Sequence, residues 1–214
     1  MPTQHAGYFT KDGTKVPSVT TILSRFKESG GLVHWAWKLG TEGKDYRTVR
    51  DDAANAGTMA HAAVDAYIHG EPFTWDLDNE VGKRAYTAYG AFLEWTQQTK
   101  FTVERTEVPL ISERYRFGGT FDAVFVSGKR AMADWKTSNR VYGDYLAQVA
   151  AYGLLWDENF PDKRIDGGYH LLRFDKVFGD FHAHYWAELE AGKRYFLALR
   201  AAYEDDQELK ARAG

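Results

Sequence analysis

The chain predicts an α/β fold: a central mixed sheet of about five strands with helices on both sides, preceded by a helical region. Three observations point there. Apolar residues recur at helical spacing through most of the chain before residue 98. From Val103 to Lys136 the pattern changes to extended runs punctuated by turn residues. A helix, two strands and a last helix then follow, so the second half reads β-β-β-α-β-β-α.

The first element is a short hairpin in YFTKDGTKVPSVTTIL, turning at Asp12-Gly13. Pro17 precedes Ser18, which is placed to cap a helix. Residues 31–40, GLVHWAWKLG, form a second short helix stopped by glycine. The stretch from Asp51 to His69 is alanine-rich and helical, ended by Gly70 and Pro72. A further helix over 77–98 carries Tyr86, Tyr89, Phe92, Leu93 and Trp95 at helical spacing. Strands are expected at Val103–Ile111, Phe117–Val126 and Ala131–Lys136, the last two joined by the Ser127-Gly128 turn. A helix at 144–156, strands at Tyr169–Phe174 and Phe181–Trp186, and a helix at 187–203 complete the order. The charged tail EDDQELKARAG is expected to be solvated and to fray. No repeat or linker divides the chain, so residues 1–214 read as one domain, with a helical region over 17–98 and the sheet-bearing core over 101–203.

A hydrophobic share of 44% and an aromatic share of 15% exclude a disordered chain. The absence of cysteine excludes disulfides, cysteine-ligated zinc and iron–sulfur clusters. The opening MPTQHAGYFTKDGTK lacks the apolar core of a signal peptide, and no run approaches the roughly 18 apolar residues of a membrane span. A cytoplasmic protein without membrane contact is therefore expected. A net charge of −3 argues against general coating of nucleic acid. It is compatible with acidic metal ligands beside local basic patches.

The chemistry concentrates in GGTFDAVFVSGKRAMADWKTS, which places Asp122, Asp134 and Lys136 on two turn-linked strands. Side chains alternate along a strand, so Asp134 and Lys136 share one face, expected to meet solvent, while Trp135 packs beneath a helix. Hard carboxylate ligands suit Mg²⁺ or Mn²⁺, and a nearby ammonium can position a water and steady charge developing on phosphorus. The bland reading is a surface ion pair in an ordinary hairpin. Two neighbours of the pattern weigh against it. In AGTMAHAAVDAY, His61 and Asp65 stand at i and i+4 on one helical face. Gln148 and Tyr152 stand four apart on the helix that follows the strand pair.

Taken in order, these residues resemble the RecB-type branch of the PD-(D/E)XK nuclease superfamily. Its pattern of G-x-x-x-H, G-x-x-D, D-x-K-T and Q-x-x-x-Y matches Gly57 to His61, Gly119 to Asp122, Asp134-Trp135-Lys136-Thr137, and Gln148 to Tyr152. PSVTTIL also looks like the opening of small phage-encoded members, and the resemblance covers residues 17–175. It implies a restriction-endonuclease-like core and a metal-dependent DNA nuclease, an exonuclease serving phage or bacterial recombination and repair, leaving a 5′-phosphate. It implies that His61, Asp122, Asp134 and the Trp135 carbonyl hold Mg²⁺ or Mn²⁺, the imidazole tilting preference toward Mn²⁺. Lys136 would handle the attacking water or the scissile phosphate, and Gln148 and Tyr152 would brace the site or touch the DNA backbone. A first-strand glutamate assists in such sites; Glu107 is the choice here and Glu104 the reserve. Asp65 departs from the pattern, standing where many relatives carry glutamate. The partner implied is DNA, with a single-strand annealing protein or a helicase as companion, though no residue marks either.

Position alone suggests further DNA contacts: Thr137, Ser138, Asn139 and Arg140 after the lysine, and a basic stretch of Lys38, Lys44, Arg47 and Arg50 leading into the His61 helix. A solvated helix face explains that stretch equally well. His182 and His184 share one side of a strand without an evident third ligand and read as surface histidines. His34 reads as a packing residue, and most of the tryptophans as core. Other functions stay open: a non-catalytic module that binds DNA ends or assembles with protein, and an RNA-directed or endonucleolytic enzyme.

Overall fold

Five strands pair into one sheet in the order β3-β4-β5-β6-β7, and each end of the chain feeds helices onto it. The structure is a computed structural model and describes residues 7–27, 30–138, 140–174 and 181–214. Strands β1 (Tyr8–Phe9) and β2 (Lys15–Val16) form the expected hairpin. Its turn uses Gly13 at φ +80 and the Asp12 carboxylate, which accepts from the Thr14 N–H at 3.0 Å. Helix α1 (Val19–Arg25) begins where Ser18 Oγ accepts from the Thr21 N–H at 3.0 Å, and α2 spans Gly30–Thr41. Helix α3 (Tyr46–His69) starts before the expected Asp51, because the Asp45 carboxylate caps it by accepting from the Arg47 N–H at 2.8 Å. It ends at Gly70 in the left-handed conformation. Asn79 caps α4 (Glu80–Gln98).

Strands β3 (Thr102–Ser112), β4 (Phe117–Ser127) and β5 (Lys129–Thr137) are antiparallel neighbours. The next pair, β5 with β6 (Tyr169–Phe174), is parallel, so the connection must cross over, and α5 (Gly143–Asn159) makes that crossing. Strand β7 (Phe181–Trp186) closes the edge antiparallel to β6, and α6 (Glu190–Ala213) returns over the sheet. The result is the mixed sheet of the sequence reading.

Each sheet face has its own core. Val124, Met132 and Leu171 pack toward α1, α5 and α6, with Tyr152, Trp156 and Phe196. Ala123, Ala133, Trp135 and Leu172 pack toward α3 and α4, with Ala60, Val64, Phe92 and Trp95. Trp135 is buried with its ring 5.5 Å from Phe92, as strand alternation requires.

Two local expectations change, and one short element is added. The tail EDDQELKARAG is helical to Ala213, because Asp206 is held across the molecule by Arg25 at 2.6 and 2.8 Å and by Lys210 at 2.8 Å. A short 3₁₀ turn at Pro161–Lys163 had no sequence signal in the reading above. His34 is exposed and stacks on Trp37 at 5.7 Å instead of packing inward. Among the described residues, no helix is long and apolar enough to cross a membrane.

Candidate active site

The motif residues arrive from four elements. His61 stands in α3, Asp122 on β4, Asp134 and Lys136 on β5, and Gln148 and Tyr152 on α5. The register pairing Ala123 with Ala133 continues toward Asp122 beside Asp134. The register pairing Thr106 with Ala123 likewise brings Glu107 beside Asp122. Three carboxylates thus line one row across three strands. Regular pairing of β4 with β5 stops at this row, and the Trp135 N–H donates to Asp122 Oδ2 at 2.6 Å. Glu107, inside β3, has a left-handed φ of +50, a conformation that costs energy in a non-glycine residue.

Asp134 is 1% exposed, and its Oδ1 receives no hydrogen bond from a described residue. Its Oδ2 meets Lys136 Nζ at 2.5 Å in a buried ion pair. Burial raises the Asp134 pKa to about 6; Lys136 pulls against that shift and Asp122 adds to it. The Asp122 carboxyl is also raised by burial, opposed by Lys136 and the Trp135 N–H. The expectation that Asp134 meets solvent is therefore corrected: the residue is buried and its ionisation is penalised.

His61 keeps part of its surface exposed while its ring reaches inward. Burial, with Lys136 adding, pushes it down to about 4 against the pull of Asp134. The imidazole is thus neutral near pH 7 and has a lone pair to give. Burial works against the charge on Lys136, but Asp134 and Asp122 outweigh it, so the group remains an ammonium. Glu107 reaches solvent, yet crowding around its carboxyl, with the charges of Asp122, Asp65 and Asp134, pushes it up to about 7.

On α5, Gln148 Nε2 donates to Tyr152 Oη at 2.8 Å. Burial and the Asp134 charge hold the Tyr152 phenol well above its ordinary range, so it stays protonated. Two glycines make these approaches possible. A Cβ on Gly57 would meet Thr137 Oγ1 at 2.4 Å, and one on Gly119 would meet Tyr152 Cε1 at 2.8 Å.

The remaining candidates separate. Glu104 is taken up by Arg130 at 2.6 Å and Lys163 at 3.5 Å, which leaves Glu107 in the row. Asp65 pairs with His69 at 3.3 Å on an exposed face. Ser138 is buried and its hydroxyl donates to the Arg140 carbonyl at 2.8 Å. Arg140 is exposed with its guanidinium 4.6 Å from the Tyr142 ring, and Asn139 lies outside the described residues. Arg47 and Arg50 stand about 16–21 Å from His61 along the axis of α3, and Arg50 is paired with Asp51 at 2.8 Å. The structure does not bring them to the carboxylate row. His182 and His184 do share a side, 6.3 Å apart. The sequence reading missed Tyr145, whose ring lies 5.4 Å from Lys136 Nζ. Its signal was its place three residues before Gln148, on the same helical stripe.

Among the described residues, no three histidine, aspartate or glutamate side chains are grouped closely enough to hold a metal ion as they stand. In kind they fit one: the carboxylates of Asp122 and Asp134, a neutral imidazole, and a buried Asp134 Oδ1 without a donor among the described residues.

A family model described as the PD-(D/E)XK nuclease superfamily matches residues 5–213. The chain belongs to that superfamily. PD-(D/E)XK nucleases generally use divalent metal ions, in keeping with this donor set. Solved structures similar to this PD-(D/E)XK chain include a candidate exonuclease from Eubacterium rectale, at 13% identity and a TM-score of 0.43, with 69% of this chain covered and 68% of that one. An alkaline exonuclease from Laribacter hongkongensis is similar at 16% identity and a TM-score of 0.34, with 76% and 92% covered. A search of curated proteins found no match.

Proposed function

We propose that this PD-(D/E)XK protein is a deoxyribonuclease that hydrolyses phosphodiesters from DNA ends with Mg²⁺ or Mn²⁺. The observation that carries the reading is buried Asp134, its Oδ1 without a donor among the described residues and its Oδ2 paired with the Lys136 ammonium, beside Asp122 and neutral His61. Asp122, Asp134, His61 and the Trp135 carbonyl would hold the cation, whose chemistry when bound is to polarise a phosphoryl oxygen and acidify water. Lys136 orients the attacking water or the scissile phosphate and meets the charge that develops there. Glu107 stands at the solvent side of the row, where a carboxylate accepts or orients a water proton. Gln148 and Tyr152, bonded to each other on α5, would brace the site or touch the DNA backbone.

Thr137, which follows Lys136, and Arg140, four residues beyond the lysine, are assigned to the DNA backbone. Arg47 and Arg50 extend a basic path farther along α3, with affinity that falls as salt rises. Buried Ser138 acts by holding the turn. End-directed cutting is favoured because nothing in the chain resembles a separate sequence-reading domain. The resemblance to phage-encoded relatives supports a role in recombination or repair in the bacterial cytoplasm, beside a single-strand annealing protein or helicase.

The test is cleavage of end-labelled linear and covalently closed circular DNA with Mn²⁺, Mg²⁺ or EDTA, Asp134→Asn running alongside. Metal-dependent loss of linear DNA alone, absent in the variant, is expected. Nicked circles would make it an endonuclease. Cleavage of RNA only would move the substrate class. Metal-independent DNA binding without cutting of any substrate would leave the non-catalytic module.

A further inference from the structure

Lysine carries a compact charge on a flexible four-carbon stem, so one contact seldom fixes its ammonium. Lys136 is paired with Asp134 at 2.5 Å, and Asp134 is also the carboxylate that the proposed reaction engages elsewhere. A second group faces the same ammonium. The Tyr145 ring, on the first turn of α5, has its centroid 5.4 Å from Lys136 Nζ.

We infer that Tyr145 is a positioning residue for Lys136, its ring face holding the ammonium in place through cation–π attraction while Asp134 is engaged elsewhere. This rests on the reading of Lys136 as the group that orients water or phosphate.

The ring is built to stay put. Tyr142 meets it edge-on at 5.3 Å, with an interplanar angle of 79°, and the Tyr145 N–H donates to the Tyr142 carbonyl at 3.0 Å. Its hydroxyl lies beside Ser138. Ser138 is fixed in turn, since its N–H donates to the Phe174 carbonyl at 3.1 Å and its own carbonyl accepts from Arg173 Nη1 at 2.8 Å. A second ammonium, on Lys27, stands 6.0 Å from the ring and is tied to Asp144 at 2.9 Å. Burial keeps the phenol protonated although both lysines pull the other way, so the ring acts through its face and not as a phenolate. Packing alone asks only for bulk. Cation–π attraction asks for an aromatic face.

That difference sets the experiment. In Tyr145→Phe the ring remains, and in Tyr145→Leu only bulk remains. Tyr145→Met serves if leucine prevents folding, since it too lacks a ring. In the metal-free protein, the Lys136 ε-methylene protons are expected to show an upfield ring-current shift that survives in the phenylalanine variant and disappears in leucine or methionine. In cleavage assays the leucine variant should lose about five- to thirtyfold in kcat with KM unchanged, while phenylalanine keeps wild-type rates. Lys136 signals that stay upfield without a ring, or a leucine variant whose kcat stays within about twofold of wild type, would overturn the inference. A wild-type protein that cuts no nucleic acid would instead sink the nuclease reading, and the positioning claim would then stand or fall on the Lys136 signals.

Discussion

Gly57 in α3 and Thr137 in β5 are in direct contact: a Cβ on Gly57 would stand 2.4 Å from Thr137 Oγ1 and 3.0 Å from Cγ2. One residue opens the histidine motif and the other ends the Asp134-Trp135-Lys136-Thr137 run. Their contact brings α3 onto the end of β5, and His61, one helical turn beyond Gly57, thereby interacts with Asp134 and Lys136.

Gly57→Ala is expected to destabilise. Inside an exposed helix the same change gains about 1 kcal/mol, so the sign itself is diagnostic. A lowered denaturation midpoint together with slower cleavage is the expected pair of results. Thr137→Ala removes the two nearest atoms and should restore part of the midpoint in the double variant. A more stable Gly57→Ala protein would mean that helix and strand stand farther apart than described.

Gly119→Ala inserts a methyl group among Tyr152 Cε1 at 2.8 Å, Val19 Cγ2 at 3.1 Å and Leu155 Cδ1 at 3.2 Å. All three neighbours are buried, so none can swing into solvent. Overpacking of this kind costs about 1–3 kcal/mol. Urea denaturation should show that loss, and cleavage should fall further as Tyr152 is displaced from Gln148. An unchanged midpoint would refute the close packing of β4 against α5.

Divalent cations should stabilise the protein more at pH 8 than at pH 6. Asp134 at about 6 and Glu107 at about 7 lie above their unfolded values of 3.8 and 4.5. Each therefore adds stability to the metal-free fold at low pH, and that contribution disappears as pH rises through the folded value. His61 has the opposite sign: it is pushed from 6.5 to about 4, and its burial costs stability as pH falls below 6.5. A cation binds the deprotonated carboxylates and relieves the penalty that grows toward alkaline pH. Melting midpoints with and without Mn²⁺ at both pH values test this. Equal shifts at both, or a full shift in Asp134→Asn, would rule it out.

Asp206→Ala should release the end of α6 while leaving the site intact. Arg25 and Lys210 both converge on that carboxylate, which they hold well below the ordinary range. Hydrogen exchange over residues 205–213 is expected to accelerate while the melting midpoint barely moves, since exposed ion pairs contribute little to global stability. Retained protection there would assign the helix to its own i,i+4 pairs, such as Arg212 with Glu208.

Much of this was legible in one dimension. Ser18 before α1, Gly70 after α3 and the Ser127-Gly128 turn are local signals, set by which backbone groups and conformations a neighbour can satisfy. The start of α3 was misplaced because the run of mixed polar residues from 46 to 50 hides its period, and the deciding cap, Asp45, lies outside that run. The tail of α6 was misjudged because the residue that holds Asp206 stands at position 25, beyond the reach of any local pattern.

The sequence by itself determined the order and kind of the elements and the identity of the chemical groups: His61, Asp122, Asp134, Lys136, Gln148 and Tyr152. Periodicity, capping and side-chain chemistry are properties of neighbours in the chain. Only the tertiary structure set Glu107 beside Asp122 and Glu104 against Arg130, buried Asp134, left Arg47 and Arg50 away from the carboxylate row, and placed Tyr145 against Lys136. Those outcomes depend on strand register, on burial and on the close approach of α3 and α5 to the sheet. Such contacts join residues far apart in sequence, and they exist only once the sheet and both of its cores have formed.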